Sequence, residues 1–360
     1  MKNFLASLGY ALLLTVGLHD AHAINKPEII NIGVAAAGIG GRPNVGGWLP
    51  GTVHSKKFIE NELKEEGIEV RWHFFQTAGP GVNEALTNEL LDFAFQGDLP
   101  QIIGYSSGLK LKYILPIGRR LTNYIAVTED SGIQRIEDLK GKRVAIFKGT
   151  CTQLVANRLL EAHGIKEQDL QVYNMNGSAS IAALASKDVD AAISGSNLFA
   201  IRDRGLAKII YNSKDEDNKH GCSVGFQVVQ NFAQQYPEIT QKVVTAVVKA
   251  AQYSSEEANR NDMIHAWQQS GTPARHFKQD WEKLDLKRQF NVLFDDYLIK
   301  GYQRAIDDST RFGLVTKPVD INQWFDTHYL ETALKELNLE NYWTPEDANG
   351  QPGGKTTSIH

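Results

Sequence analysis

Short apolar runs alternate with stretches of helical spacing from Ile29 to Val229. Ile29–Ala36 predicts a strand that empties into a glycine-rich loop, Gly38–Gly51. Val53–Glu66 follows as a helix with Phe58, Ile59 and Leu63 as its apolar stripe and Gly67 as its stop. Glu69–Phe75 is the next strand. A helix then opens at Gly79-Pro80, where proline costs little because the first N–H groups of a helix are unpaired anyway. Phe93–Gln96 and Leu111–Ile117 read as strands on either side of a short helix at Pro100–Tyr105. The plan then starts again. Tyr124–Thr128, Arg143–Phe147, Leu170–Tyr173, Ala191–Ser194 and Lys208–Tyr211 are strands. Their helices run from Lys148–Thr152 to Gly164, over Ile181–Lys187 and over Leu198–Arg204. Val224–Val229 is one more strand, and from Asn231 to Leu339 the spacing is helical.

The restart is visible residue by residue. At a constant offset of 98, Ala85 meets Ala183, Leu86 meets Leu184, Asp92 meets Asp190, Ala94 meets Ala192 and Gly97 meets Gly195. Each copy reads small-residue loop, short helix, Asp, apolar strand, glycine loop. Strand–helix alternation of this kind gives mainly parallel sheets. Two similar lobes face each other across a cleft, and ligands of open α/β sheets bind beyond the carboxyl ends of the strands. The excursion into the second lobe and back requires two crossings, near Gly118–Thr122 and Gly221–Val224. Two crossings permit hinge closure around a ligand.

Composition adds location and excludes some partners. Lys2, the apolar Phe4–Leu18 and the A-x-A site Ala21-His22-Ala23 predict a secretory signal peptide cleaved after Ala23. The remaining 337 residues suffice for two lobes with their own cores. The leader carries one Lys and one Asp, so the net charge of −4 is unchanged by cleavage. A mildly acidic chain without a basic run gives no reason to expect nucleic acid or a membrane surface as a partner. Trp267, Trp281 and Trp324 are expected in the core, and the Gly- and Pro-rich end, Asn349–His360, is expected to be disordered. Cys151 and Cys222 allow a disulfide in an exported chain; two buried thiols are the alternative.

The candidate chemistry is that of anion capture. Helix starts present unpaired N–H groups and a partial positive charge. Gly79, Pro80 and Gly81 open one helix, Thr150, Cys151 and Thr152 a second, and Ser178–Ser180 a third. Thr150 is also a ready N-cap. Arg42 offers a forked cation to a sulfonate or carboxylate or is a solvated loop residue. Trp48 covers an apolar tail or packs as a lid. Asp98, after Gly97, holds an ammonium or caps the helix that starts at Leu99-Pro100. Asn83, Ser196 and Asn197 are neutral candidates. Arg119 and Arg120 fall at the first crossing and fit hinge salt bridges better than ligand contacts. An enzyme with Cys151 as nucleophile would need a base, and the histidines form no motif with it. There is no C-x-x-C or H-E-x-x-H spacing, so neither a metal nor another cofactor is expected.

Four stretches carry a family likeness: Phe75-Gln-Thr-Ala-Gly-Pro-Gly-Val-Asn-Glu-Ala-Leu86, Asp92-Phe-Ala-Phe-Gln-Gly-Asp-Leu-Pro100, Ile136-Glu-Asp-Leu-Lys-Gly-Lys-Arg-Val-Ala145 and Lys148-Gly-Thr150. With them the chain resembles periplasmic solute-binding proteins of ABC importers, in the aliphatic sulfonate, taurine and nitrate group. The resemblance implies a type II two-lobed fold with two mainly parallel mixed sheets. It implies lobe one from 24–119 and 224–345, lobe two from 120–223, and a loose tail over 346–360. It further implies a monomeric periplasmic protein, not inserted in the membrane, that hands a small organic anion to the transmembrane subunits of a permease and catalyses nothing. An aliphatic sulfonate or taurine-like compound comes first, nitrate or a carboxylate next; coupling to a sensor is the alternative partner. Two stretches depart from the group: the long loop Ala37–Gly51, and Gly195-Ser-Asn-Leu-Phe199 where sulfonate binders often carry Trp and Asp-Pro.

Overall fold

The computed structural model describes residues 25–359, so the expected leader lies outside it. The first sheet takes β1 (Ile29–Val34), β2 (Glu69–Phe74), β3 (Phe93–Gly97) and β4 (Leu111–Gly118). The second takes β5 (Tyr124–Thr128), β6 (Arg143–Ile146), β7 (Gln171–Asn174), β8 (Ala191–Ser194) and β9 (Ala207–Asn212). The chain then returns, and β10 (Val224–Val229) completes the first sheet.

Both sheets have five strands, in the orders β2-β1-β3-β10-β4 and β7-β6-β8-β5-β9. They are the same sheet built twice. Three parallel strands lie on one side, and the fourth strand, which has just crossed from the other lobe, runs antiparallel to its neighbours. The repeated aspartates do the same work in each copy. Asp92 accepts the backbone N–H of Asn31 at 2.7 Å, and Asp190 accepts that of Arg143 at 2.9 Å. Each carboxylate thus anchors its own strand to the start of the neighbouring one.

The helices used below are α1 (Leu49–Ser55), α2 (Ala78–Thr87), α3 (Asp98–Ser107), α4 (Cys151–Ala162), α5 (Gly177–Ser186), α6 (Pro237–Ser255), α7 (Ala274–Trp281), α8 (Asp296–Arg311) and α9 (His328–Glu336). The helix expected over Val53–Glu66 is broken: α1 ends at Ser55, and a new helix, Phe58–Glu62, begins after Lys57, whose φ of 56° is left-handed. The core of the first lobe is far larger than that of the second, because α6, α9 and their neighbours all pack on it. Trp267 and Trp324 are fully buried there, as their apolar setting predicts.

The C-terminal stretch corrects its reading as a loose tail. Glu346 is buried and accepts Arg120 and Arg288, at 2.9 and 2.6 Å. Ile359 is buried, and its N–H bonds to Thr327 Oγ1 at 3.0 Å. Composition alone could not reveal this, since the partners lie far away in the sequence. Among the described residues, no helix is long and apolar enough to cross a membrane.

Candidate functional site

The strand ends facing each other from the two lobes enclose a cavity of about 270 Å³. Ala35 and Ala36 follow β1, Gly97 ends β3, Thr150 follows β6, and Gly195 and Ser196 follow β8. This is the position that doubly wound sheets offer to ligands: in each sheet the strand order turns between the pair that supplies these loops. A wider mouth of about 620 Å³ shares Ala35, Trp48, Thr150 and Cys151 and adds Thr152, Ser178 and Asn197.

The starts of α2 and α4 meet at the rim. A Cβ on Gly79 would come within 2.2 Å of Pro100, so only a glycine lets α2 and α3 pack this closely, and it would stand in ordinary contact, 3.4 Å, with the Gly149 carbonyl of the other lobe. Thr150 is the N-cap residue of α4, yet its hydroxyl does not cap. It donates to the Phe147 carbonyl at 2.7 Å and fixes the loop that leaves β6. The loop is held further by Gln153 Oε1, which accepts Gly149 N–H at 2.8 Å. Thr150 and Cys151, at the start of α4, line the cavity, and the N–H groups that open a helix have no carbonyl of the preceding turn to bond.

Cys151 is bonded to Cys222, across 71 positions of sequence. The bridge ties the start of α4 to the second crossing, beside Gly97, whose added Cβ would lie 2.9 Å from that of Cys151. The thiolate that a nucleophilic role requires is thereby consumed.

Of the predicted residues, the structure brings Trp48, Gly79, Gly97, Thr150, Cys151 and Ser196 to the cavity and Thr152 and Asn197 to its mouth. Asn197 accepts Ser194 Oγ at 2.8 Å and so orders the turn after β8. The others stand elsewhere. Arg42 is exposed, with its guanidinium over Gly271. Pro80 is exposed at the rim against Gly149, and Gly81 is packed on Thr77 and Phe75. Asn83 donates to the Pro100 carbonyl at 2.8 Å and accepts Gln96 at 3.0 Å, joining α2 to α3 and β3. Asp98 is buried and turned to the second crossing. Its carboxylate accepts Leu99 N–H at 2.7 Å and Ser223 N–H at 3.3 Å. Burial pushes that carboxyl up to about 6.

Arg119 and Arg120 contribute to the cavity wall but direct their charge elsewhere. Arg119 reaches Asp295 at 2.8 Å and the carbonyls of Asn291 and Leu293. The Arg120 guanidinium lies 3.8 Å from the Tyr297 ring centre and bonds Glu346.

The C-terminal helices bring residues that the sequence reading missed: Asp280, Leu284, Gln289 and Phe290. Trp281, expected only in the core, also lines the cavity, stacked on Phe290 with ring centres 5.2 Å apart. Asp280 accepts Tyr124 Oη at 2.8 Å, a bond from one lobe to the other. No local motif marks these positions; only the packing of α7 against the second lobe carries them to the cleft. His276 and Arg275 of the same helix reach Asp203 at 2.8 and 3.0 Å. Together with Arg202, these partners hold the Asp203 carboxyl well below its usual range.

The model of the family described as NMT1/THI5 like matches residues 63–260, more than half of the chain. The chain belongs to the NMT1/THI5-like family. Similarity extends beyond the matched stretch. A protein of Bacillus subtilis (strain 168), named for the binding of aliphatic sulfonates, is 27% identical over 293 residues, 78% of this chain and 83% of that protein. The crystal structure of a protein from Methylobacillus flagellatus KT, named as the periplasmic sulfonate-binding protein SsuA of an ABC transporter, is 30% identical. It superposes with a TM-score of 0.75 over 90% of this chain and 99% of that one. The fold also serves catalysis: the desulfurization enzyme DSZB shares it at a TM-score of 0.61 and 16% identity, over 86% of this chain and all of that one. Family membership thus accounts for the two-lobed frame, and the side chains of this cavity decide what it holds.

Proposed function

We propose that this chain is the periplasmic substrate-binding component of an ABC importer and that it captures a small organic anion, an aliphatic sulfonate first among them, between its lobes. The observation that carries the reading is the cavity itself, placed where the carboxyl ends of β1, β3, β6 and β8 face one another. The names of the relatives support the ligand class. Gly79, Thr150, Cys151, Thr152 and Ser196 are the residues we assign to the anionic head. Backbone N–H groups at a helix start hold such a head without a matched side-chain charge. Closure about the two crossings then presents one surface, made by both lobes, to the transmembrane subunits of a permease. The chain acts as a monomer in this scheme. Catalysis has no support from Cys151, whose sulfur is bonded.

The test is thermal unfolding of the 24–360 chain, freed of carried-over ligand by unfolding and refolding. The panel holds alkanesulfonates, taurine, nitrate, sulfate and matching carboxylates. A ligand at about 1,000 times its dissociation constant adds roughly 4 kcal/mol, a rise of several degrees. Sulfonates are expected to give that rise. In the same assay Thr150→Ala with Thr152→Ala is expected to weaken binding about tenfold or more, near 1.4 kcal/mol. Full affinity in the double variant would remove the two hydroxyls from the site, and a response to nitrate or carboxylates alone would replace the ligand class.

A further inference from the structure

A second cavity between the lobes, of about 290 Å³, lies behind the second crossing. α8 supplies one wall, with Gly301 and Asp308, and the later turns of α4 supply the other, with Arg158 and Glu161. Gly221 and Ser223 of the crossing line this rear cavity, whereas the next residue, Val224, lines the ligand cavity. The helix α4 serves both: Cys151 is in the front wall and Arg158 in the rear one, about 10 Å further along the helix.

In front, the lobes meet at two places. Tyr124 Oη donates to Asp280 at 2.8 Å and His276 meets Asp203 at 2.8 Å on α7, while a Cβ on Gly149 would lie 2.9 Å from Pro80 at the rim. The lobes are thus drawn together around the ligand cavity. A rotation about the crossings that parts these contacts must bring the rear walls towards each other, because the axis runs between the two cavities. The rear cavity is therefore widest when the front is shut. Arg158 spans it in this state. Its Nε donates to Asp308 at 2.6 Å, with the two side chains 14% and 19% exposed. Gly301 leaves space beside the pair, since a Cβ there would meet nothing within 4 Å.

We infer that the rear cavity sets how tightly the front holds its ligand: what keeps its walls apart favours the shut cleft, and what lets them collapse favours the open one. This rests on the reading of the cleft as a binding site but not on the class of the ligand. A chain that is shut for part of the time binds with an affinity reduced by that fraction. Arg158 is the native spacer, and it acts on affinity without touching the ligand.

Two variants with opposite expected effects test this. Gly301→Trp places an indole between the rear walls. Arg158→Ala removes the spacer and leaves Asp308 paired with Arg311 at 2.5 Å. Small-angle X-ray scattering from the ligand-free 24–360 chain is expected to give a smaller radius of gyration for Gly301→Trp than for the native chain, and no smaller a radius for Arg158→Ala. In titration calorimetry with ethanesulfonate, Gly301→Trp is expected to tighten binding about threefold or more and Arg158→Ala to weaken it by a similar factor. Gly301→Ala, which favours the helix without filling the cavity, is expected to match the native chain in both measurements. A general loss of order would weaken binding in both variants, so a change of the same sign in the two overturns the inference. Equal radii for the native chain and Gly301→Trp also overturn it, because the rear would then hold nothing apart. Should the native chain not bind ethanesulfonate, the sulfonate reading fails, and the ligand-free radii alone decide this inference.

Discussion

Arg119→Met is expected to cost about 3–5 kcal/mol of stability. The guanidinium is fully buried at the first crossing and donates to the carbonyls of Asn291 and Leu293 and to Asp295, itself fully buried. Without it, Asp295 keeps two backbone donors, Leu298 N–H at 3.0 Å and Glu346 N–H at 2.9 Å, but no fully buried cation. An uncompensated buried charge, not the loss of attraction, is what makes such a change severe. Urea unfolding should show a lower midpoint at an unchanged slope, since the surface exposed is the same. Adding Asp295→Asn, which keeps the oxygen that accepts Leu298 N–H, should recover a large part of the loss. If both variants fell by the same amount, the ion pair would not be the cause. A loss below about 1 kcal/mol would mean that water reaches the network.

The second large effect belongs to the bridge. Replacing Cys151 and Cys222 by Ala is expected to lower stability by about 2–4 kcal/mol, because the bridge closes a loop across 71 positions and restricts the unfolded chain. The same variant should bind ligand more weakly, since Cys151 is in the first turn of α4 and in the cavity wall. Alkylation of the unfolded, unreduced native chain should label no thiol, and reduction should release two. Full labelling without reductant would show the cysteines unpaired. A variant as stable as the native chain would show that the bridge constrains nothing.

Much of the frame could be read from the chain because its causes are local. Apolar runs set the strands, Gly67 and Pro80 punctuate the helices, and Asp92 and Asp190 recur with the strands they anchor. The identities of the helix starts followed from the same signals, so Gly79, Thr150 and Cys151 were in view. What escaped was set by distant partners. Lys57 turns left-handed and splits a helix that apolar spacing draws as continuous. For Asp98 the chain offers a helix cap or an ammonium site, and its bond to Ser223, 125 positions away across the second crossing, is out of local reach. Glu346 sits in a segment with the composition of a loose tail, yet three arginines from elsewhere in the chain surround it. Asp280 and Trp281 reach the cleft only through the docking of α7.

The order of strands also decides what can be exchanged. All five strands of the second sheet come from one uninterrupted stretch, β5 to β9, bounded by the two crossings. The first sheet needs β10 and cannot be drawn from any stretch shorter than 29–229. Only the second lobe is therefore a cassette, one that two junctions could replace with its counterpart from a relative. Such a graft would bring a new Thr150, Cys151 and Ser196 to the cavity while Asp280, Trp281 and Trp48 stayed in place. The two walls of the cavity can thus be recombined separately, and only one of them travels as a single piece of chain.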